Sequence, residues 1–542
     1  MRKTSLVFIL LFFACDLCLV SGDLFANNLS VSNTTLTGQD TSADTIKIQF
    51  DISWANSWSD SANKDAAWVF IKYSTDGGTT WNHATLKTAG TNPSNFSQGS
   101  GTGIDIVVPT DKKGAFIQRA AQSSGALSTT SIQLVWDYSN DGVSDTNANA
   151  ATTVIKVFGI EMVYIPQGGY YLGDTVAGTN GEFQFEASIP ITMESEEDPL
   201  SFEAAVGTAN AAYYTSDTGG SDDAASGAVF TVSSSFPKGY NAFYIMKYEI
   251  TEGQYVDFLN TLTRAQQKNR VATDVSTDAI TNVYVLSNAS SLTNRNTITC
   301  PASGNGTTAP VVFSKTRADR ACSYLSWMDL AAYADWAALR PMSELEYEKA
   351  ARGSLYPVAS EYAWGSTSLT AAATISGTED GTETISTASA NANYNSTSFS
   401  GGDTGTGTLR TGIYATSSTA TRVTTGAGFY GVMELTGNVW ERAVTIGNAG
   451  GRGFGATHGD GVLTTLSTYE GNATNSDWPG LDSTNSRGVT GAAGSGLRGG
   501  GWAVSSANAA ARMTISSRYK AGTTDTTRGT DYGGRGVRTA AE

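Results

Sequence analysis

Side chains suited to soft-metal or nucleophilic chemistry are scarce in this 542-residue chain. It has two histidines, His83 and His458, and four cysteines, Cys15, Cys18, Cys300 and Cys322. Structural zinc sites take four Cys/His ligands, and the catalytic sites of zinc hydrolases also rely on His. A two-His-one-carboxylate iron site would need both histidines, which stand 375 positions apart. His458 sits in a glycine-rich run, Gly455–Gly461, with no evident nucleophile beside it, and reads as a hydrogen-bonded loop residue rather than a general base. Carboxylates are plentiful. Fifty Asp+Glu against 34 Lys+Arg give a formal net charge of -16, which disfavours nucleic acid and anionic membrane surfaces as partners. The charged fraction of 15% is below the roughly 25% of ordinary globular chains.

The elements that must position these residues begin with a leader. Met1-Arg2-Lys3 followed by the apolar run Leu6–Ala14 fits a signal peptide over residues 1–22, with cleavage after Gly22 or, alternatively, Ala26. Lipid attachment at Cys15 is a poorer match, because two phenylalanines stand close before it. No later segment reads as transmembrane, so the expected location is secreted or cell-surface. Cys300 and Cys322 then remain. A disulfide is the default in an oxidising compartment, and two buried free thiols are the alternative.

The fold class expected is α+β, with an all-β sandwich over 23–158 and a second domain over 159–542. Ile46–Ile52 alternates strictly, and Trp68–Tyr73, Ile132–Trp136 and Thr153–Phe158 add further strands. Ser74–Trp81 matches the Ser-x-Asp-x-Gly-x-x-Trp corner called an Asp-box, read here as structural. Asp137–Ala148 resembles a calcium loop in its first nine positions. It ends on an alanine where an acid is needed, and reads as a polar turn. Three helices are announced by caps at Thr251/Gln254, Ser326/Asp329 and Ser343/Glu346, the last ended by Gly353. Residues 174–235, 265–310, 366–430 and 446–495 read as long polar loops decorating a compact scaffold.

An ordered set of motifs runs through the second domain. Glu161–Gly169 opens it, and Phe243–Thr251 and Leu325–Asp329 follow. Leu339–Gly353, Tyr362–Gly365 and Glu434–Glu441 come next, and Leu497–Trp502 and Gly534–Arg538 close it. Over about residues 161–540 this set resembles the formylglycine-generating enzyme (sulfatase-modifying factor) family. The resemblance implies a C-type-lectin-like fold with little regular secondary structure. It further implies an oxidase that holds copper on a cysteine pair just after the Gly-Gly-Ser/Gly-aromatic motif. The matching stretch here, Trp502–Arg512, contains no cysteine, and none occurs after Cys322. Only thiolate supplies the soft, linear copper site this chemistry needs, so no copper is expected. Nor is iron, because the helical domain and histidines of the family's sulfoxide synthases are missing.

The resemblance also implies structural calcium. One ion would be held by the Glu434 side chain, the Gly437 and Val439 carbonyls and the Glu441 carboxylate. A second would sit at Asn393, the Tyr394 carbonyl and Asp403. Mixed carboxylate and backbone oxygens suit that ion, and local capping or salt bridging of the two glutamates is the alternative. Trp502, Val504, Asn508 and Arg512 line the position of the family's substrate groove. Arg498, Arg512, Arg518, Arg528, Arg535 and Arg538 crowd the C-terminal end and are expected mostly to pair with carboxylates. Loop aromatics suit stacking on a peptide or glycan. The functional expectation is an exported binding or surface-structural pseudoenzyme. Alternatives are a divergent oxidoreductase or hydrolase using carboxylates and arginines in the old groove, which would need a buried carboxylate pair near Trp502–Arg512, and a self-assembling filament or coat subunit.

Overall fold

The structure, a computed structural model, describes residues 28–176, 181–183, 189–204, 212–217, 219, 222–416 and 420–540. The segment expected to be a leader, with Cys15, lies outside the described residues.

The chain is α+β, mostly sheet with few helices. Strands β1 (Ser30–Asp40), β2 (Thr45–Ser59), β3 (Asp65–Ser74), β4 (Ile104–Val108), β5 (Ala115–Arg119), β6 (Ser123–Asp137) and β7 (Val154–Ile165) build the N-terminal part. Later come β8 (Phe243–Met246), β9 (Trp440–Val444), β10 (Ser495–Arg498), β11 (Tyr532–Gly533) and β12 (Gly536–Thr539). β1, β2 and β6 pair antiparallel in that order, and Ser100–Gly101 extends the sheet beyond β6. Along β2, Ile46, Ile48, Phe50, Ile52 and Trp54 fall on one face. They pack with Leu134 and Trp136 of β6 and Val69 and Ile71 of β3, which makes the expected sandwich.

The second sheet reaches beyond the sandwich. Its order runs Arg340–Pro341, β12, β8, β7, β3, β5, β4, Gly90–Thr91. β7 pairs with β3 from Val154 to Val163 and with β8 from Met162 to Ile165. Position 158/159, where the sequence changes character, therefore falls inside a strand that serves both parts. A change in sequence pattern marks a change of neighbours, and here one strand has different neighbours along its two halves. β3 is buried along its whole length. Ala67, Val69, Ile71 and Tyr73 face the sandwich, while Ala66, Trp68 and Phe70 face the helices. Full burial of such side chains is worth about 1.5–3 kcal/mol each.

Helices α1 (Glu252–Leu259), α3 (Trp327–Trp336) and α4 (Glu344–Arg352) carry complete capping boxes at Thr251, Ser326 and Ser343, as the sequence indicates. Between them lies α2 (Arg264–Arg270), capped reciprocally by Thr263 and Gln266. It falls mostly within a stretch expected to be loop, because Arg-Ala-Gln-Gln-Lys-Asn-Arg has no apolar stripe. Its side chains are buried through hydrogen bonds instead: Gln267 Nε2 donates to the Leu259 and Val311 carbonyls at 3.0 and 2.9 Å. α3 docks on the sheet through Trp336, edge-on to Phe70 and to Phe158 with ring centres 5.0 Å apart in each case. Trp68 Nε1 donates to the Ala337 carbonyl at 2.8 Å.

The long polar stretches are more than decoration. Leu200–Glu203, Ala212–Tyr213 and Phe230–Val232 form a small sheet over an aromatic cluster of Phe183, Phe202, Tyr214 and Phe230. Residues 372–414 enclose their own core of Ile375, Phe399, Leu409, Ile413 and Tyr414. The apolar residues are widely spaced there, so no period reveals them. Asp76 is the centre of the Asp-box. Burial raises its carboxyl, but Ser74, Thr80 and Thr79 together donate to it and hold it at about 2. The 137–148 loop ends in one helical turn, Asp145–Ala148, that the sequence did not show. Its carboxylates serve locally. Asp141 Oδ2 accepts from Trp136 Nε1 at 2.7 Å, and Asp145 Oδ1 accepts from Tyr138 Oη at 2.6 Å.

Candidate functional site

The turn Glu434–Glu441 enters β9 through three residues of positive φ: Glu434 (55°), Gly437 (90°) and Asn438 (62°). At Gly437 a Cβ would stand 2.8 Å from the Asn393 carbonyl oxygen, so glycine is required there for space as well as for backbone angle. Asn438 organises the surroundings. Its N–H donates to the Asn393 carbonyl at 2.9 Å, and its Oδ1 accepts from Asn393 Nδ2 (3.0 Å) and the Leu409 N–H (2.9 Å). Its carbonyl receives the Trp502 N–H at 2.9 Å. The Asn395 and Ser396 N–H groups donate to the Val504 and Trp502 carbonyls at 2.7 and 2.9 Å. Asn393, Tyr394, the Glu434–Glu441 turn, Trp502 and Val504 are thus brought together across more than a hundred residues of sequence.

Asp403 and Arg512 have other partners. Asp403 is gripped by Arg317, whose Nε and Nη2 each approach one carboxylate oxygen at 2.8 Å, and by Arg320 at 3.1 Å. Arg512 stacks on Tyr519 at 4.2 Å and donates to its hydroxyl at 2.9 Å. Asn508 closes a short 3-10 turn on Ser505 Oγ at 2.9 Å.

Val504 and Ala509 are buried in the apolar cluster that includes Trp440, Met513 and Ile515. The Trp502 indole donates to the Thr530 carbonyl at 3.2 Å. Within this segment Trp502, Val504 and Ala509 are buried, while Ser506, Ala507 and Ala510 face solvent. Prominent clefts lie elsewhere, for example about 340 Å³ between β7 and α1 beside Glu161, Tyr248 and Asp257. Asp531 is the carboxylate next to Trp502. Burial raises it, and Lys520 works in the opposite direction.

The implied calcium ligands can be tested against their partners. Both Glu441 oxygens are taken by Arg535, Nε to Oε2 at 2.5 Å and Nη2 to Oε1 at 2.6 Å, with neither side chain exposed. Glu434 Oε1 accepts the Gly412 N–H at 2.8 Å, while its Oε2 is buried without a partner. The donor set does not fit a calcium ion as implied, because one of its two carboxylates is closed by a cation of the chain itself.

The crowded arginines pair as expected. Arg498 bridges Glu344 and Glu348 at 2.9 and 2.7 Å, Arg518 meets Glu344 at 2.8 Å, and Arg528 forks onto Asp329. Burial alone would raise the Glu344 carboxyl, but Arg518 and Arg498 hold it below the usual range. Arg538 bonds to Asp111 and lies 4.2 Å from the Trp68 ring. His458 Nε2 accepts the Thr539 N–H at 3.0 Å. Burial, then Arg538 and Arg340, keep it well below the normal imidazole range, hence neutral.

Glu249 escaped the sequence reading, since nothing in Lys-Tyr-Glu-Ile-Thr marks its third residue. It is wholly buried. Oε2 accepts from Asn438 Nδ2 at 3.1 Å and Oε1 has no partner. Burial first, then the neighbouring Glu434, push its carboxyl well above the ordinary range. Cys300 and Cys322 are free, buried thiols. The disulfide expected by default is not formed, because the two backbones hang from different segments: Cys300 N–H on the Val283 carbonyl, Cys322 N–H on that of Ile250. Burial pushes Cys300 up to about 11 and Cys322 well above its usual value.

A mixed scaffold with capped helices, long structured loops and a tight Gly-Asn-x-Trp-Glu turn against a C-terminal Gly-Gly-Gly-Trp corner defines a sulfatase-modifying-factor type of domain. The family model described as sulfatase-modifying factor enzyme 1-like domain matches residues 223–540. The chain belongs to this family. No curated protein matches it.

Proposed function

We propose that this chain is a non-catalytic member of its family, an exported protein that binds a ligand or builds a surface structure. One observation carries the reading. The corner after Trp502, where the resemblance implies a copper-holding cysteine pair, is filled by Val504 and Ala509, 3% and 4% exposed. A valine and an alanine methyl offer no lone pair to a metal. Their burial among Met513 and Ile515 makes the surroundings of these two side chains apolar. The charged-to-N-terminus leader pattern supports export, and among the described residues no helix is long and apolar enough to cross a membrane. The 372–414 region and the small sheet of Leu200–Glu203 and Phe230–Val232, with exposed serines and threonines around small cores, suit recognition of a peptide or glycan.

The test is turnover. Purified protein is incubated with copper(I), oxygen and a peptide carrying the sulfatase cysteine motif, and the peptide mass is followed. The expected outcome is an unmodified cysteine. Conversion to the aldehyde would show an active site that replaces the cysteine pair and would defeat the proposal.

A further inference from the structure

We infer that arginines of the chain stand in for calcium at both places where the resemblance puts that ion, and that Arg535 is the resident cation of the Glu434–Glu441 turn. A guanidinium has five N–H donors, and all five of Arg535 are used. Nε and Nη2 fork onto Glu441. Nη2 also donates to the Met433 carbonyl at 2.8 Å, and Nη1 donates to the Met246 and Lys247 carbonyls at 2.9 and 3.1 Å. One fixed positive charge thereby ties together the end of β8, the residue before Glu434 and the strand β9. Holding separate segments by carboxylate and carbonyl oxygens is what a structural calcium ion does in a loop-rich fold. The fork geometry suits a carboxylate better than any other cationic side chain does.

Asp403 repeats the arrangement independently. Arg317 occupies both its oxygens, and Arg320 adds a contact at 3.1 Å while also binding Glu379. A divalent ion 2.3–2.6 Å from either carboxylate would face a guanidinium across it, and like charges repel there, strongly at the buried Glu441 and more weakly at the solvent-exposed Asp403.

The environment of Arg535 adds a consequence. Three carboxylates act on it: Glu441 by contact, and Glu249 and Glu434 through space. Glu249 Oε1 and Glu434 Oε2 are buried and unpartnered. Removing the guanidinium would leave both Glu441 oxygens unpaired in a buried neighbourhood that also holds these two orphans. That is an oxygen-only set, the kind calcium takes. Arg535→Ala should therefore acquire a calcium requirement that the native chain lacks.

Thermal unfolding of the full chain in chelator and in millimolar calcium tests this. For the native protein the two curves should superimpose. For Arg535→Ala the melting temperature should be depressed in chelator and recover in calcium, as mass action demands of an ion bound only by the folded state. Glu441→Gln should be destabilised equally in both solutions, since it keeps the arginine. The inference fails if chelator lowers the native melting temperature and Glu441→Gln abolishes that effect, or if Arg535→Ala folds and ignores calcium. Should Arg535→Ala not fold in either solution, the native and Glu441→Gln curves decide the matter alone.

Discussion

Replacing Trp336 with alanine should loosen the N-terminal sandwich, although Trp336 lies in a helix almost two hundred residues beyond it. The indole is 4% exposed and packs edge-on to Phe70 of β3 and Phe158 of β7 at 5.0 Å, and against Phe258 at 5.4 Å and Tyr333 at 5.6 Å. The Lys72 ammonium lies 5.4 Å from its ring. Truncating a buried tryptophan to alanine costs about 3–5 kcal/mol through lost transfer energy and the cavity left behind. Two of its ring partners belong to strands whose other faces form the sandwich core, and β3 and β7 run on into β8 and β12. The loss should therefore reach the whole shared sheet. Amide hydrogen exchange read by mass spectrometry would show it. Protection in β3 and in β2, which does not touch Trp336, should fall by roughly a hundred- to several-thousand-fold at about 1.4 kcal/mol per decade. Val312→Ser, at a side chain 70% exposed, is the control and should change nothing. If β2 kept its native protection in Trp336→Ala, the sandwich would be an independent unit and the shared-sheet reasoning would be wrong.

Glu252 is fully buried, and although Arg320 and Thr297 favour its ionised form, burial pushes its carboxyl up to about 8. A carboxyl raised in the folded state stabilises most below its unfolded value of 4.5, and the contribution disappears as pH rises towards 8. Glu252→Gln should thus gain stability over the native chain between pH 5 and pH 9, measured by urea midpoints, and a constant difference would contradict this. Gly437→Ala forces a Cβ to 2.8 Å from the Asn393 carbonyl at φ 90° and should cost about 1–3 kcal/mol in a melt. Glu344→Gln strips the buried Arg498 and Arg518 of their shared anion and should cost about 3–5 kcal/mol. After denaturation without reductant, peptides bearing Cys300 and Cys322 should both alkylate, whereas a linked pair would leave them unlabelled.

The sequence exposed what local physics encodes. Thr251, Ser326 and Ser343 mark helix starts because a cap is satisfied within three residues. Ile46–Ile52 marks a strand because its period repeats within seven. The ordered motifs picked out the Glu434–Glu441 turn and Trp502, but not that Asn438 joins them to Asn393. Long-range pairings were not legible. Nothing near Glu441 announces Arg535, ninety-four positions on, and nothing at Phe158 shows that its strand continues into a second neighbourhood. α2 escaped because its burial is polar. The 372–414 core escaped because its apolar residues come together only in three dimensions.

The central claim, that the corner after Trp502 holds no copper chemistry, is tested most directly by copper(I) competition. The protein is titrated with copper(I) against a coloured chelator of high affinity, alongside a variant with Cys300 and Cys322 changed to serine. The expected result is that the chelator strips all copper from the serine variant. One copper retained per chain by that variant, lost only when Trp502–Arg512 is altered, would contradict the claim.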